Sequence, residues 1–502
     1  MTDKSIIIVG AGMGGLAAGI YGQANGYQTQ IFEMHTVPGG QVASWQRKGY
    51  TFDGCIHHLF GCGPNSKLHG LWTELGAMPR PLAPTWDCVS VVSPEGRVFH
   101  DYYDLERLTA HLQELSPADS AVIKDYVNGV RLFSRTDLWG ELMLGSLGGK
   151  LGLLPGLVPG FKWFKPSMRQ FAGRFSDPFL QRAFPLLEYS FPDAPFFLHL
   201  VKHAYACRGD IAWPVGGSLQ FARSIEQRYR DLGGEIHYKQ RVDRIIVENG
   251  RAVGVQLTDG SIHRADVVIS NADGRRTIMN MLDGRYADAR IRGYCADPPD
   301  ETHWAVHVFL GVNRDLFREP SALLMLLDEP VTLAGHATDH LEMQMYGMDP
   351  SLAPAGKGVI KVELVSTYSY WKALYSNRSR YEEEKQRVAE TVIGLLERQF
   401  PGLKSQVEIV DVPTLLTWER YMGGTHGFAC GPKKDADIVG TLLGRDQLST
   451  LPGLDGFYFA GNWATSGGGA MFINALSGRT TIRAICKKDN RRFVSPTWTQ
   501  CP

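Results

Sequence analysis

The chain carries no excess of charge: across 502 residues Lys+Arg and Asp+Glu both number 52, for a formal net charge of zero. A basic face for nucleic acid is therefore not expected, nor strong steering of anionic substrates. The eight cysteines contain no CxxC pair and no Cys/His cluster at zinc spacing. They read as thiols of a reducing compartment, and no metal site is expected. No uninterrupted apolar run reaches the roughly 18 residues that a membrane-spanning helix needs. Met1 to Lys4 lead straight into an apolar strand, with no basic n-region or apolar h-region before it. A signal peptide is thus not expected, and the expected location is cytoplasmic, with membrane association open. Internal repeats and low-complexity tracts are missing too.

What is present begins at once. The apolar strand Ile6-Ile7-Ile8-Val9 runs into Gly10-Ala11-Gly12-Met13-Gly14-Gly15, a small-residue helix follows, and the strand Thr29-Gln30-Ile31-Phe32 stops at Glu33. This is a βαβ unit shaped for a dinucleotide. Gly10 permits the tight turn, Gly12 lets the backbone approach a pyrophosphate, and Gly15 lets the helix pack close to the strand, with Gly14 grouped with them as a binding residue. The helix start offers unpaired N–H groups to the phosphates, and Glu33 can accept from adenosine ribose hydroxyls. A second GxGxxG after a strand does not occur. Electrons are therefore expected to pass to or from a diffusing donor or acceptor, not a nicotinamide held in a second Rossmann domain.

The length suggests about three domain-sized units. Dinucleotide-type signal falls in three separated blocks. The first is 1–75. The second, 208–275, holds Pro214-Val215-Gly216-Gly217, an amphipathic helix from Leu219 to Leu232, and short strands with turns at Asn249-Gly250 and Asp259-Gly260. The third, 445–490, has the strand Phe457-Tyr458-Phe459-Ala460 and a glycine-rich turn into a last helix. The intervening 76–207, read as largely helical and aromatic-rich, and 276–444, read as mixed, would form an inserted substrate domain. The predicted class is α/β, a split Rossmann-type nucleotide-binding domain with an inserted α+β domain.

Further motifs extend the first block. Gly39-Gly40 after the ribose strand lets a loop wrap a diphosphate without Cβ clashes, and Ser44 can bond a phosphate or a polyol chain. Phe459-Ala460-Gly461-Asn462 ends a strand, and Ser466-Gly467-Gly468-Gly469-Ala470 opens a helix whose N–H groups could face an electron-rich ring edge. Leu142 to Phe161 is apolar with one charge, Lys150, but is broken by glycines and by Pro155 and Pro159. A continuous helix is not expected there. It reads either as a loop-rich wall or as a surface that dips into a lipid interface, with Trp163 and Phe164 as anchors and Lys150, Lys162 and Lys165 at headgroups.

Together these elements resemble the FAD-containing amine-oxidase-type flavoproteins, and more narrowly the phytoene desaturase, carotenoid isomerase and retinol saturase group. The likeness is carried by the GxGxxG with Glu33, Met34-His35-Thr36…Gly39-Gly40, Phe52-Asp53-Gly54-Cys55-Ile56-His57, Pro413-Thr414…Thr417…Arg420-Tyr421…Gly424…Gly427, and Phe459-Ala460-Gly461-Asn462-Trp463…Gly467-Gly468-Gly469. It spans nearly the whole chain. The resemblance implies FAD as cofactor, with Gly10, Gly12 and Gly15 at the pyrophosphate and Glu33 at the adenosine ribose. Val242 would meet the adenine through its backbone, and Asn462 the phosphate or ribityl chain. Gly469, Ala470 and Met471 would lie at the isoalloxazine, and Gly461 is a further cofactor-binding candidate. Gln41 stands where many relatives carry Arg after the Gly-Gly pair, which puts a charged phosphate contact in doubt but not FAD binding.

The implied activity is desaturation, saturation or cis–trans isomerisation of carbon–carbon double bonds in a hydrophobic polyene. Such chemistry needs no nucleophile or metal but does need apolar walls. Phe171, Phe175, Phe179, Phe184, Tyr189, Phe191, Phe196 and Phe197 are available as a tunnel lining or as an ordinary core. His57 and His58 are the candidates to supply or take a proton, with Arg420 and Tyr421 as lesser candidates on the substrate face. The alternatives are an FAD-dependent amine or small-molecule oxidase of the same fold, and a non-catalytic prenyl-binding relative like the GDP-dissociation inhibitors.

Overall fold

The computed structural model describes residues 4–496 apart from 79, 85–87, 189, 297, 299, 428–447 and 466–469. Its centre is a five-stranded parallel sheet in the spatial order Glu235–Tyr238, Gln28–Glu33, Ser5–Val9, Val267–Ser270, Phe457–Phe459. Neighbours in this sheet come from far apart in sequence. The period-two alternation of a strand sorts the first one between two layers. Ile6 and Ile8 enter the core shared with the helices Met13–Ala24, Gly217–Asp231 and Met471–Lys488. Ile7 and Val9 face the opposite layer, where Val242, Ile245, Val255 and Leu257 of an antiparallel three-stranded meander meet them. A parallel sheet needs cover on both faces, which explains its unbroken apolar runs.

Helix Met13–Ala24 lies close to its partners because glycines replace side chains at the crossings. A Cβ on Gly19 would come within 2.7 Å of the Tyr229 ring.

The second sheet has seven strands, in the order Val407–Asp411, Glu301–Val312, Gly358–Thr367, His336–Met345, Ala322–Leu333, Cys88–Val92, Val98–Tyr102. Its far face is covered by the helix Arg378–Gln399, whose Val388, Val392 and Leu396 join the core of that sheet. The last two strands lie inside the stretch read as helical. Their β-branched run Val89-Ser90-Val91-Val92 and the turn at Ser93 to Gly96 make the local strand signal, which the surrounding helical periodicity masked.

The rest of 105–207 is helical. Its phenylalanines pack mainly on one another: Phe171 and Phe196 stack at 3.8 Å, Phe175 and Phe184 lie beside them, and Phe197 stacks on Phe164 at 3.9 Å. Phe171, Phe184 and Phe196 are fully buried, so most of this set is core and not tunnel wall. Phe191 differs, meeting His303 and Trp304. Tyr189 lies outside the described residues.

The Gly/Pro-rich stretch breaks into short helices, Leu138–Leu144, Leu147–Leu151 and Leu154–Gly160. Its outward residues are not those expected. Trp163 is buried against Phe133, and Phe164 is drawn in by Phe197. Leu147, Leu151, Leu154, Val158 and Phe161 instead stand in solvent. Among the described residues no helix is long and apolar enough to cross a membrane.

Candidate functional site

The ends of the parallel strands converge on a cleft of about 430 Å³, a size typical of ligand pockets. The first turn forms its floor. Gly12 caps helix Met13–Ala24 without any side-chain bond, so the first N–H groups of the helix are left for a ligand. Beside it runs the second glycine loop, where Gly39 and Gly40 have φ of 109° and 59° and Gly39 bridges to Gly12. A Cβ on Gly40 would sit 3.2 Å from the Gly12 Cα. Two backbone strands thus line the same channel at close range, which only glycine allows.

Glu33 ties the two loops together. Its Oε2 accepts from the Ala11 N–H at 2.7 Å and its Oε1 from the His35 N–H at 2.7 Å. Burial raises its pKa, and these N–H donors pull it back toward the charged form. Each oxygen retains a lone pair for a further donor.

The structure brings Gly10, Gly12, Gly14, Glu33, Gly39, Gly40, Gln41, Ser44, Val242, Gly461 and Asn462 to this one cleft. Gly15 lies behind the lining, in helix Met13–Ala24, where a Cβ would collide with the Gly10 carbonyl. Ser44 Oγ accepts from the Leu219 N–H at 3.2 Å, joining the cleft to the first turn of helix Gly217–Asp231. Gln41 brings no charge, but its Oε1 accepts from Asn462 Nδ2 at 3.2 Å and so orients that amide. Arg241, Arg276 and Arg420 also border the cleft and supply the positive charge that position 41 lacks. Arg420 lies over the Tyr421 ring, and Tyr421 meets His35, so this pair lies at the Glu33 end of the cleft. Ala470 caps helix Met471–Lys488 without a side-chain bond, with Met471 at the first helical position. Gly469 lies outside the described residues.

Two residues here have no counterpart in the sequence motifs. Asn271 follows the strand Val267–Ser270, and its side chain threads between the glycines. Its Nδ2 lies 2.6 Å from where a Gly12 Cβ would be, and its Oδ1 2.6 Å from that of Gly14. Asn474 also borders the cleft, and its buried Oδ1 has no partner. A cradle that any Cβ would fill, together with an unsatisfied buried oxygen, is what a bound dinucleotide would occupy and satisfy.

His57 and His58 lie apart from this cleft lining. They follow the strand Tyr50–Asp53, and Asp53 fixes the turn: it accepts from Ser218 N–H at 2.5 Å, Ser218 Oγ at 2.6 Å, and the Cys55 and Ile56 N–H groups at 3.1 Å. His57 Nε2 meets Glu363 Oε2 at 2.7 Å, while Lys361 Nζ lies 2.9 Å from Glu363 Oε1. Burial alone would raise Glu363, yet His57 and Lys361 hold it well below the usual carboxylate range. Burial lowers His57, against the pull of Glu363, and pushes His307, 3.5 Å from the same carboxylate, down to about 3. His58 packs edge-on to Phe60 and is lowered by burial, with Lys202 adding to the effect. Lys361 and Glu363 had a signal in the sequence: two charges with spacing i, i+2 inside the apolar run Val359 to Val365 put both on one face of a buried strand.

Among the described residues, two clusters have donors close enough to hold a metal ion, Asp101/His199/His203 and His57/Glu342/Glu363. In the first, the Tyr126 hydroxyl stands between the ligands, 2.7 to 2.8 Å from each. In the second, the Lys361 ammonium already neutralises Glu363. Both read as closed polar networks.

Comparison with known proteins agrees with this architecture. The family model for flavin containing amine oxidoreductase matches residues 13–486. The chain is 27% identical to "Prolycopene isomerase, chloroplastic" of Daucus carota over 95% of its own length and 79% of that protein. It is 28% identical to "Phytoene desaturase (lycopene-forming)" of a Paracoccus species over 61% of each. The same fold occurs in an oxidoreductase from Methanosarcina mazei (TM-score 0.60, 18% identity, 95% of this chain and 100% of that one). It occurs also in cyclohexylamine oxidase from Brevibacterium oxydans (TM-score 0.58, 15% identity, 97% and 100%). The resemblance drawn from the motifs and the match over the whole fold lead to one assignment: the chain belongs to the flavin-containing amine oxidoreductase family.

Proposed function

We propose that the protein is an FAD-dependent oxidoreductase acting on carbon–carbon double bonds of a hydrophobic polyene of the isoprenoid class, by desaturation, saturation or cis–trans isomerisation. The observation that carries this is the likeness to prolycopene isomerase across 95% of the chain. FAD, as opposed to a mononucleotide flavin, is favoured by the cleft's outer end. There Glu33 offers acceptors to a ribose and Val242 a strand edge to an adenine. Segments 1–75, 208–275 and 445–490 are read as the nucleotide-binding domain, and 76–207 with 276–444 as the substrate domain.

The glycine turns and the open N-terminus of helix Met13–Ala24 bind the pyrophosphate, Asn462 the phosphate or ribityl chain, and the start of helix Met471–Lys488 the ring end. The bound flavin supplies two-electron exchange with carbon. His57, fixed by Glu363, holds or releases the proton that saturation or isomerisation requires. An external donor or acceptor completes the redox balance.

Contact with a membrane surface belongs to the same reading. Leu147, Leu151, Leu154, Val158 and Phe161 are exposed within one short stretch. No acidic residue lies between Glu141 and Asp177, while Lys150, Lys162, Lys165, Arg169 and Arg174 all do. An apolar ridge with Lys150 and Lys165 beside it suits a lipid surface, while Lys162 and Arg174 are paired to Asp125 and Arg169 to Asp193.

The decisive experiment is anaerobic incubation of the flavin-reduced and flavin-oxidised protein with candidate polyenes, reading product mass and geometry. A gain or loss of a hydrogen pair, or unchanged mass with altered geometry, selects among the three reactions. Absence of any polyene product, with peroxide released from an amine, would replace this reading with the amine oxidase one.

A further inference from the structure

We propose that the carboxyl pair Glu342 and Glu363 stores a proton for His57 and is refilled from solvent through Ser190 and His340. The proposal rests on the reading of His57 as the proton-handling group.

The pair is set by sheet register. Glu342 on strand His336–Met345 stands directly opposite Glu363 on strand Gly358–Thr367, so both side chains share one face. Like charges in that position repel. Oxygens of both carboxyls and a ring nitrogen of His57 lie within 4.8 Å of one another. At this distance and depth the two acids do not both ionise.

Partners decide which acid keeps the proton. Glu363 has His57 on one oxygen at 2.7 Å and Lys361 on the other at 2.9 Å. Glu342 has a neutral donor, Ser190 Oγ, at 2.9 Å. Burial, and then the charge of Glu363, pushes Glu342 up to about 8, with Ser190, Lys361 and Lys202 acting in the opposite sense. Glu342 is therefore the acid of the pair that keeps the proton, and Glu363 is the anion.

The outer half of the path is continuous. Ser190 Oγ lies 3.0 Å from His340 Nε2, and His340 Nδ1 lies 2.9 Å from Asp339, whose side chain is 58% exposed. Ser190 holds a left-handed φ of 54°, an uncommon conformation for serine, and its hydroxyl contacts both neighbours. Protons balance at each step. His57, whose one ring proton lies on Nε2 against the Glu363 anion, turns that nitrogen to the substrate and gives the proton up, while its other nitrogen takes one from Glu363, which Glu342 refills. Glu342 is restored through Ser190 as His340 draws on solvent. Glu342, Glu363, Ser190 and His340 are positioning residues in this scheme, since they act through His57.

Infrared spectroscopy of the holoenzyme tests the store without any turnover. A protonated carboxylic acid band is expected at pH 7, fading as pH rises through about 8 and absent in Glu342→Gln. No such band in the wild type, or its persistence in Glu342→Gln, overturns the proposal. Ser190→Ala should retain the band but slow its exchange in deuterated solvent on the order of tenfold or more. Unchanged exchange in Ser190→Ala overturns the path, and this arm remains if Glu342→Gln does not fold. If the infrared results hold while no polyene is converted, the proton store stands and the substrate assignment falls.

Discussion

The cleft around Gly12 and the cluster around Glu363 are built by opposite means. At the cleft, side chains are left out so that backbone N–H groups reach a ligand. At the cluster, charged side chains are brought in and paired with one another, although the ring nitrogens of buried His307 have no hydrogen-bond partner. The glycine turn at the floor of the cleft is made of residues close in sequence, Gly10 to Gly15. The cluster depends on convergence: His57 and Glu363 are separated by 306 positions. A defect at the cleft should therefore cost the ligand first, and a defect at the cluster should cost the fold first.

The largest effect tests the cleft side. Gly14→Val places a Cβ 2.5 Å from the Gly461 N, and Gly12→Val places one 2.6 Å from Asn271 Nδ2. Both variants should purify without flavin absorbance, because neither the turn nor Asn271 can withdraw without closing the channel. Overpacking should add about 1–3 kcal/mol of destabilisation. Gly70→Ala is the control: nothing lies within 4 Å of its Cβ position, so it should keep the flavin and gain roughly 0.5–1 kcal/mol from helix propensity. Flavin retained at full occupancy by Gly14→Val would show that the pyrophosphate lies elsewhere.

The next effect tests the cluster side. Lys361 is fully buried and paired to Glu363. Lys361→Met should cost about 3–5 kcal/mol by chemical denaturation, since it leaves Glu363 with less compensation in a dry site. Adding Glu363→Met should recover part of that loss, because an apolar pair needs no compensation. A double variant no more stable than Lys361→Met would mean the charges act independently.

The same contrast sets what could be read in advance. The strand, the glycine turn and Glu33 are contiguous, and each glycine has a steric reason that a sequence displays. Asn271 is equally close to the glycine turn, but it reaches it through a parallel strand pairing of Ile8 with Ile269. No local pattern marks that contact. Glu342 and Glu363 become partners only through register between two strands of the second sheet. The phenylalanines of the helical insertion show the converse limit: composition alone cannot tell a wall facing a ligand from one facing another ring. Trp163 failed as a lipid anchor for the same reason, since the Gly160 turn and Phe133 draw it inward while Phe161 is left outside.

A smaller effect concerns pH. Tyr126 joins Asp101, His199 and His203 in a second buried network, with Glu188 and Lys202 beside it. Burial opposes charging His203, yet Asp101 carries it up to about 10, while His203 and His199 bring Asp101 down to about 2 against its own burial. The signs differ for the two groups. The raised histidine contributes stability that is complete below its unfolded value near 6.5 and is lost as pH rises through about 10. The lowered aspartate contributes stability present above about 4 and lost as pH falls through about 2. Melting temperature should thus decline between pH 7 and 10, and His203→Gln should start lower but decline less, by roughly a few °C. Parallel curves for the two proteins would remove His203 from the titration.

The smallest effect on the fold carries the contrast to the surface. Neither omission nor pairing accounts for Leu147, Leu151, Leu154, Val158 and Phe161, which are large, apolar and exposed at 51–77%. Their helices are too short and too rich in glycine and proline to be stable for their own sake, so their contribution to folding is small. Leu147→Glu with Phe161→Glu should leave stability within about 0.5 kcal/mol. If the ridge meets an anionic bilayer, the wild type should co-float with vesicles containing acidic phospholipid, weaken as salt screens the lysines, and the double variant should stay in solution. Equal flotation of the two proteins would assign the ridge another role, and a large loss of stability in the variant would place these side chains in the core after all.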